Sequence, residues 1–281
     1  MRLVFVHGRG QGESSSEDLR EKWVTALEAG AKAAGISLPV PIDLEVPFYA
    51  KTLDEATAGG PHGAIIRGSD EAPDPIEAEL LIELAKRAGI TNAEISDELD
   101  EPVVARAPEN WQWVLAAGRL LSRRFPFLGK DFIRRFTADV HAYLHWRHAR
   151  DPVNKLFIDG CGDGPAIVVS HSLGTIVAYW ALTEHKSPPR VPLLVTLGSP
   201  LGIDAVKKKL PRPLGKPPSV DIWLNAADIR DPIALFPRLD RDTFPAEIEN
   251  RTEIHNPHDN PHGISGYLAD QVVAKRIISA L

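Results

Sequence analysis

The chain contains the segment Ala166-Ile167-Val168-Val169-Ser170-His171-Ser172-Leu173-Gly174-Thr175, an apolar run that reaches a serine between small residues. Residues 166–169 have the β-branched content of a buried parallel strand, and apolar side chains then recur at helical spacing over residues 176–182. Ser172 therefore lies at a predicted strand-to-helix turn. Such a turn brings other main chain close and favours small residues two positions before and after its apex, where Ser170 and Gly174 stand.

The pentapeptide Ser170-His171-Ser172-Leu173-Gly174 resembles the G-x-S-x-G turn of the α/β-hydrolase superfamily, with Ser170 in place of the first glycine. The resemblance implies an α/β fold with a mostly parallel sheet, helices on both faces and a helical insertion before the nucleophile strand. It also implies that Ser172 is the nucleophile of an esterase or lipase-like enzyme. The alternative interpretation is a small-residue turn with no chemical role.

A second motif, His7-Gly8-Arg9-Gly10-Gln11-Gly12, follows the apolar run at residues 3–6. In the superfamily, a backbone N–H at this place completes an oxyanion hole with the N–H of the residue after the nucleophile. The resemblance assigns these donors to Arg9 and Leu173, with Gly10 as the substitute for Arg9. A glycine loop that binds a dinucleotide is the competing interpretation, and it is weakened because Glu13 stands where the third glycine belongs.

The superfamily's chain order implies a carboxylate and then a histidine after the serine. Asp228 and Asp231 both follow a predicted strand at residues 219–224. We choose Asp228, which lies just past the strand and four residues before a proline, and keep Asp231 as the alternative. Either residue also fits a turn or a helix N-cap.

The histidine is expected on the loop at residues 255–263, which contains three histidines. We favour His262, because it is nearest to the predicted closing helix and because Gly263 beside it permits close backbone approach. His258 is the second choice. The predicted catalytic residues are thus Ser172, Asp228 and His262.

The rest of the chain alternates strands and helices, as a parallel sheet covered on both faces requires. Further strands are predicted at residues 40–46 and 193–197, and helices at 17–34, 75–88, 110–124, 131 onward, 173–185 and 266–281. Ser14-x-x-Glu17 and Ser15-x-x-Asp18 are capping signals for the first helix. Residues 1–281 are predicted to form a single domain in which residues 48–130 are an inserted helical and loop cap region. The apolar face of the helix at 110–124 fits either a cap over an acyl pocket or a buried helix face.

Three further segments strengthen the resemblance: Asp139-Val140-x-x-Tyr143-Leu144, Gly198-Ser199-Pro200-Leu201-Gly202 and residues 225–234. Together with the Ser172 turn, they resemble a group of poorly characterised bacterial serine hydrolases. These motifs are specific for the fold and weak for the substrate.

Two histidine-rich patches raise the possibility of a metal site. His141, His145 and His148 share one side of a predicted helix, and His255, His258, Asp259 and His262 form the second patch. No H-E-x-x-H motif is present, and a polar helix face explains the first patch more simply. We therefore predict no metal and no cofactor.

The composition sets the class of protein and its partners. The 281 residues are 43% hydrophobic and 25% charged, which is ordinary for a globular chain long enough for one large α/β domain with an insertion. The net charge of −6 argues against nucleic acid, and Lys207-Lys208-Lys209 is interpreted as a solvated helix face. The single Cys161 excludes an internal disulfide, and no leader or spanning segment is recognised, so we expect a cytoplasmic protein without stable membrane insertion.

The function expected from these motifs is hydrolysis of a small-molecule carboxylic ester through a Ser-His-Asp triad and an acyl-enzyme. Thioester or amide hydrolysis uses the same residues, so the sequence does not separate them from ester hydrolysis. The alternative of another class is a non-catalytic lipid- or protein-binding module that keeps the fold.

Overall fold

The computed structural model describes residues 1–8, 15–58, 75–100, 111–126 and 132–281. Its centre is a sheet of six parallel strands in the order β2-β1-β3-β4-β5-β6. The strands are β1 (Arg2–Val6), β2 (Leu44–Glu45), β3 (Ala166–His171), β4 (Val191–Leu197), β5 (Val220–Ala226) and β6 (Glu249–Arg251). The chain order steps outward in both directions from β1 and β3, so the carboxyl ends of these two neighbours form a crevice, where open α/β sheets place ligands.

Eleven helices occur within the described residues. They are α1 (Ser16–Ala33), α2 (Ala50–Ala58), α3 (Pro75–Arg87), α4 (Asn92–Leu99), α5 (Trp111–Arg124), α6 (Phe132–His145), α7 (Arg147–Cys161), α8 (Leu173–Glu184), α9 (Asp204–Lys207), α10 (Ile264–Ala269) and α11 (Gln271–Ile278). The order of strands and helices confirms the predicted α/β class with a mostly parallel sheet.

Alternation along the central strands sends side chains to two separate cores. In β1, Leu3 and Phe5 join one cluster, whereas Val4 and Val6 join the other. The first cluster is covered by α1, α10 and α11, and the second by the helices between α2 and α9. Both faces of β1, β3 and β4 are therefore buried, which explains their nearly continuous apolar sequences.

The helices of the inserted region pack on the second core. Leu84 of α3, Val114 and Leu121 of α5 and Phe136 of α6 belong to the same buried cluster as Val168 of β3. The described part of α5 thus uses its apolar face as a buried helix face. Part of the predicted cap at residues 48–130 lies outside the described residues, and its role as a cap stays a prediction.

Some predicted boundaries are wrong for local physical reasons. The strand predicted at residues 40–46 is reduced to Leu44–Glu45, because Pro39 and Pro41 have no N–H to pair with β1. The closing helix predicted at 266–281 is two helices, since the side chain of Asp270 accepts from the N–H groups of Val272 and Val273 and starts α11.

Five observed elements were not predicted, namely α2, α4, α7, α9 and β6, whereas one helix cap was. The helix that returns the chain to β3 is α7, which contains Pro152 and follows α6, the helix predicted from residue 131 onward. The short β6 has the sequence Glu-Asn-Arg, which carries no apolar signal. The capping box of α1 is confirmed at Ser15 and Asp18.

None of the helices in the described ranges combines the length and the apolar content that a bilayer crossing requires.

Candidate active site

Ser172 lies at the sharp turn between β3 and α8. Its φ of 55° and ψ of −126° are in a region that costs about 1–3 kcal/mol and that is common at functional sites. The turn needs Gly174, because a Cβ there would lie 2.6 Å from the carbonyl oxygen of His7 and would also collide with the carbonyl oxygen of Val6. At the other small position, the hydroxyl of Ser170 is buried and donates to the Val195 carbonyl at 3.0 Å, so serine replaces glycine without an unpaired polar atom.

His262 is the histidine that contacts the Ser172 hydroxyl. The Ser172 hydroxyl donates to His262 Nε2 at 3.0 Å, and both residues are buried. The ring edge of Phe132, at the start of α6, lies against the imidazole with 5.9 Å between ring centroids. His258, the second choice, instead accepts at Nδ1 from Arg230 at 3.0 Å, on the exposed side of the loop.

The carboxylate that contacts His262 is Asp231. His262 Nδ1 lies 2.9 Å from its Oδ1 and 2.8 Å from its Oδ2, and the carboxylate is fully buried. Oδ1 also accepts the backbone N–H groups of Ile233 and Ala234, at 2.8 and 3.3 Å. This arrangement fixes the proton of His262 on Nδ1 and leaves Nε2 free to accept from Ser172.

Asp228, which the sequence favoured, has a different set of partners. Its carboxylate accepts from the backbone and guanidinium of Arg230 and from the N–H of Asn256 at 2.8 Å. Burial alone would raise the pKa of this carboxyl group, but the hydrogen bonds from Arg230 and Asn256 hold the pKa below its usual value. The contact with His262 is therefore made by Asp231, the alternative acid, and not by Asp228; a turn in which the Asp231 N–H donates to the Asp228 carbonyl lies between the two carboxylates.

His171 connects the serine turn to the histidine loop. Its Nε2–H donates to the carbonyl oxygen of His262 at 2.9 Å, and the two rings lie 4.6 Å apart. Burial, and next the charge that His262 would carry, lower the pKa of His171 well below 6.5. The second imidazole is therefore neutral at pH 7 and adds no positive charge beside the base.

The predicted oxyanion donors are only partly within the described residues. Leu173 is the first residue of α8, so its N–H has no carbonyl partner inside the helix and lies at the positive end of the helix dipole. Arg9 and its substitute Gly10 lie outside the described residues. Gly8 is close to the serine, since a Cβ there would lie 2.8 Å from Ser172 Cβ.

No family model matches the chain. Comparison with curated proteins and with solved structures also yields no match.

A buried histidine anchors the segment that follows β1. His7 Nδ1–H donates to the Gly8 carbonyl at 2.8 Å, and Nε2 accepts the N–H of Tyr49 at 3.2 Å. The Tyr49 ring stacks on His7 at 4.0 Å, and its hydroxyl donates to the His7 carbonyl. Burial lowers the pKa of His7 from 6.5 to about 4, although the bond to Gly8 acts in the opposite direction. These contacts fix the backbone beside Ser172.

We expect the stability to fall between pH 6.5 and pH 4 because of His7. In this window the unfolded chain binds a proton at His7 and the folded protein does not, so acidification favours unfolding. The contribution is full above pH 6.5, and its loss amounts to roughly 3 kcal/mol by pH 4 for a shift of this size. Urea unfolding at several pH values should show a shallower pH dependence for His7→Gln, with the exposed His185→Gln as the control. Equal slopes for wild type and His7→Gln would contradict this expectation.

Gly198 at the end of β4 leaves room for the side chains of Asp231 and His262. Its φ is +54°, and a Cβ would lie 2.8 Å from Asp231 Oδ2 and 3.2 Å from His262 Nδ1. The first glycine of the motif at residues 198–202 is therefore required because a Cβ there would collide with its neighbours.

We expect Gly198→Ala to lower the rate of any reaction at Ser172 by about 10²-fold, because the added methyl group separates Asp231 from His262. The left-handed backbone adds a stability loss of about 1–2 kcal/mol. The rate at which a fluorophosphonate labels Ser172 measures the first effect, and urea unfolding measures the second. Gly215→Ala is the control, since a Cβ there meets nothing within 4 Å. An unchanged labelling rate for Gly198→Ala would show that the pair tolerates the methyl group.

The other histidines do not form a metal site within the described residues. His141 and His145 stack on each other at 4.5 Å, and His148 stacks on Trp146 at 5.4 Å. No group of three His, Cys, Asp or Glu side chains among the described residues is arranged to hold a metal ion.

The sequence did not indicate that His171, Tyr267 and Arg230 would lie at this site. Arg230 was visible as an arginine two residues after Asp228, where it binds that carboxylate within the turn. His171 was visible inside the pentapeptide, but nothing in the sequence indicated that its ring would contact the loop of His262. Tyr267 falls within the predicted closing helix, but nothing in the sequence indicated that its hydroxyl would contact Asp231.

Proposed function

We propose that the chain is a serine hydrolase of the α/β-hydrolase type that cleaves carboxylic esters through an acyl-enzyme. The observation that carries this proposal is the continuous set of hydrogen bonds from the Ser172 hydroxyl through His262 to Asp231. These groups come from the carboxyl ends of β3 and β5 and from a late loop, in the order serine, acid, histidine. The strained backbone of Ser172 supports the same assignment.

In the acylation step, His262 Nε2 takes the proton of Ser172 as the serine oxygen attacks the ester carbonyl carbon. Asp231 accepts from Nδ1 throughout and stabilises the imidazolium that forms. The backbone N–H of Leu173 binds the negative oxygen of the tetrahedral intermediate, with Arg9 as the second proposed donor. When the intermediate collapses, the bond to the alkoxy group breaks and His262 returns its proton to the departing alcohol.

In the deacylation step, water attacks the serine ester and His262 takes a proton from it. Collapse of the second tetrahedral intermediate breaks the bond to Ser172 Oγ, which recovers its proton from His262. The products are the free carboxylic acid and the regenerated enzyme. His171 supports both steps as a neutral neighbour, since a charged imidazole 4.6 Å away would oppose each protonation of His262.

The test of the proposal is twofold. A fluorophosphonate is expected to label Ser172 and no other residue, as peptide mapping by mass spectrometry would show. A panel of p-nitrophenyl esters graded by acyl length, with matched thioesters and amides, is expected to give turnover that the phosphonate abolishes. The panel also ranks ester hydrolysis against the thioester and amide alternatives.

Two results would refute the proposal. Failure of the phosphonate to label Ser172 would favour a non-catalytic binding module. Loss of ester turnover on treatment with a chelator, with labelling of Ser172 unchanged, would indicate metal-assisted hydrolysis instead.

A further inference from the structure

Tyr267 lies in α10, five residues after His262, and its ring is fully buried behind the acid and base. The ring lies 6.0 Å from that of His171 and is part of the core under α1. A phenol in such a core needs a partner for its hydroxyl, because an unpaired buried hydroxyl costs about 1–3 kcal/mol. The partners of this hydroxyl are both in the loop after β5.

The hydroxyl of Tyr267 makes two hydrogen bonds with opposite roles. It accepts the backbone N–H of Asp228 at 3.1 Å, and it donates to Asp231 Oδ2 at 2.6 Å. The phenolic oxygen uses a lone pair to accept the N–H of Asp228. Its single proton is therefore directed to Asp231. The short distance is typical of a strong bond to an ionised oxygen.

His262 Nδ1 lies near both oxygens of the Asp231 carboxylate, and each oxygen also has donors of its own. Ile233 and Ala234 give backbone N–H groups to Oδ1, and Tyr267 gives its hydroxyl to Oδ2. Within the described part of the chain, the phenol and the imidazole of His262 are the side chains that donate to this carboxylate. The remaining donors to this carboxylate among the described residues are main-chain N–H groups, which no substitution of a side chain removes.

We infer that Tyr267 is a positioning residue that acts through Asp231: its hydroxyl orients the carboxylate toward His262 and lowers the basicity of the acid–base pair. This inference rests on the proposed function. A hydrogen bond to a carboxylate withdraws part of its negative charge, so the imidazolium beside it is stabilised less. Tyr267 thereby favours the neutral imidazole, which is the form that accepts the Ser172 proton.

The charged and titratable neighbours of this cluster are consistent with that role. Asp231 and Asp228 lie on the loop after β5, Arg230 binds Asp228, and the neutral His171 faces the cluster from β3. Burial first, and then the charge of Asp231, raise the pKa of Tyr267 well above 10. The phenol therefore stays protonated and donates at neutral pH.

The variant Tyr267→Phe tests the inference, because it removes the hydroxyl and keeps the ring. The readout is the rate of Ser172 labelling by a fluorophosphonate as a function of pH, which needs a working base and no knowledge of the substrate. We expect the midpoint of the rising limb to move up by about 0.5 pH unit, so that labelling below the midpoint is about threefold slower. Fluorotyrosine at position 267, whose hydroxyl is the stronger donor, is expected to move the midpoint down.

Tyr143→Phe is the matched control. Tyr143 is equally buried, but its hydroxyl donates to Asn154 Oδ1 at 2.5 Å and not to Asp231, so the midpoint of this variant should equal that of the wild type. The inference would be overturned if the midpoint for Tyr267→Phe is unchanged or lower. This includes the case in which the substitution lowers only the melting temperature. If the wild type is not labelled at Ser172, the proposed function fails and the inference fails with it. Labelling of the wild type with no shift in the variant refutes the inference alone.

Discussion

Alanine in place of Ser172 is expected to lower the rate of ester hydrolysis by about 10⁴- to 10⁶-fold while the protein stays folded. The loss is large because the acyl-enzyme needs the Ser172 oxygen and no other hydroxyl donates to His262 Nε2 among the described residues. Alanine keeps the Cβ of serine, so the turn between β3 and α8 is left with the same backbone. The measurement is kcat on the best ester of the panel, with circular dichroism and thermal unfolding to verify the fold.

Ser199→Ala is the control for the Ser172 variant. Ser199 is a buried serine at the end of the adjacent strand, and its hydroxyl is 2.9 Å from that of Thr175 rather than at His262. Its loss should change kcat far less than the loss of Ser172. Ester turnover by Ser172→Ala at the wild-type rate would refute the assignment of the nucleophile.

The second large effect is expected at Asp231, and Asp228 provides the comparison. Asp231→Asn should lower kcat by about 10⁴-fold, because an amide facing Nδ1 favours the tautomer of His262 that cannot accept the Ser172 proton. Asp228→Asn should lower stability instead, by roughly 1–3 kcal/mol, since it leaves Arg230 without its charged partner. Measurement of kcat and of urea unfolding for both variants separates the two roles.

One result would contradict the roles expected for these two aspartates. If Asp228→Asn lowers kcat more than Asp231→Asn does, the acid is Asp228 and the contact seen at His262 is not the one used in catalysis. The pH dependence supplies a further check. With Asp231 neutralised, the rising limb of kcat/KM should move to lower pH, since the imidazolium loses its counter-charge.

Patterns that extend along the chain are those that the sequence predicted well. The apolar runs of β1, β3 and β4 are buried on both faces, and this requirement leaves a continuous signal in the residues themselves. The turn at Ser172 has an equally local cause, because the main chain of β1 approaches Gly174 closely. Elements that are stabilised mainly by their neighbours left a weak signal. These are β6, with its polar sequence, and α7, with Pro152 inside it.

At the candidate site, the sequence by itself determined the nucleophile turn and the histidine nearest the closing helix. Those choices depend on small residues, strand ends and chain order, which are written along the chain. Only the tertiary structure decided between Asp228 and Asp231, since both follow β5 and each fits the same loop. The physical reason is that a carboxylate binds whichever donor lies within about 3 Å. Arg230 reaches Asp228 through a local turn, whereas His262 and Tyr267 reach Asp231 from a distant part of the chain.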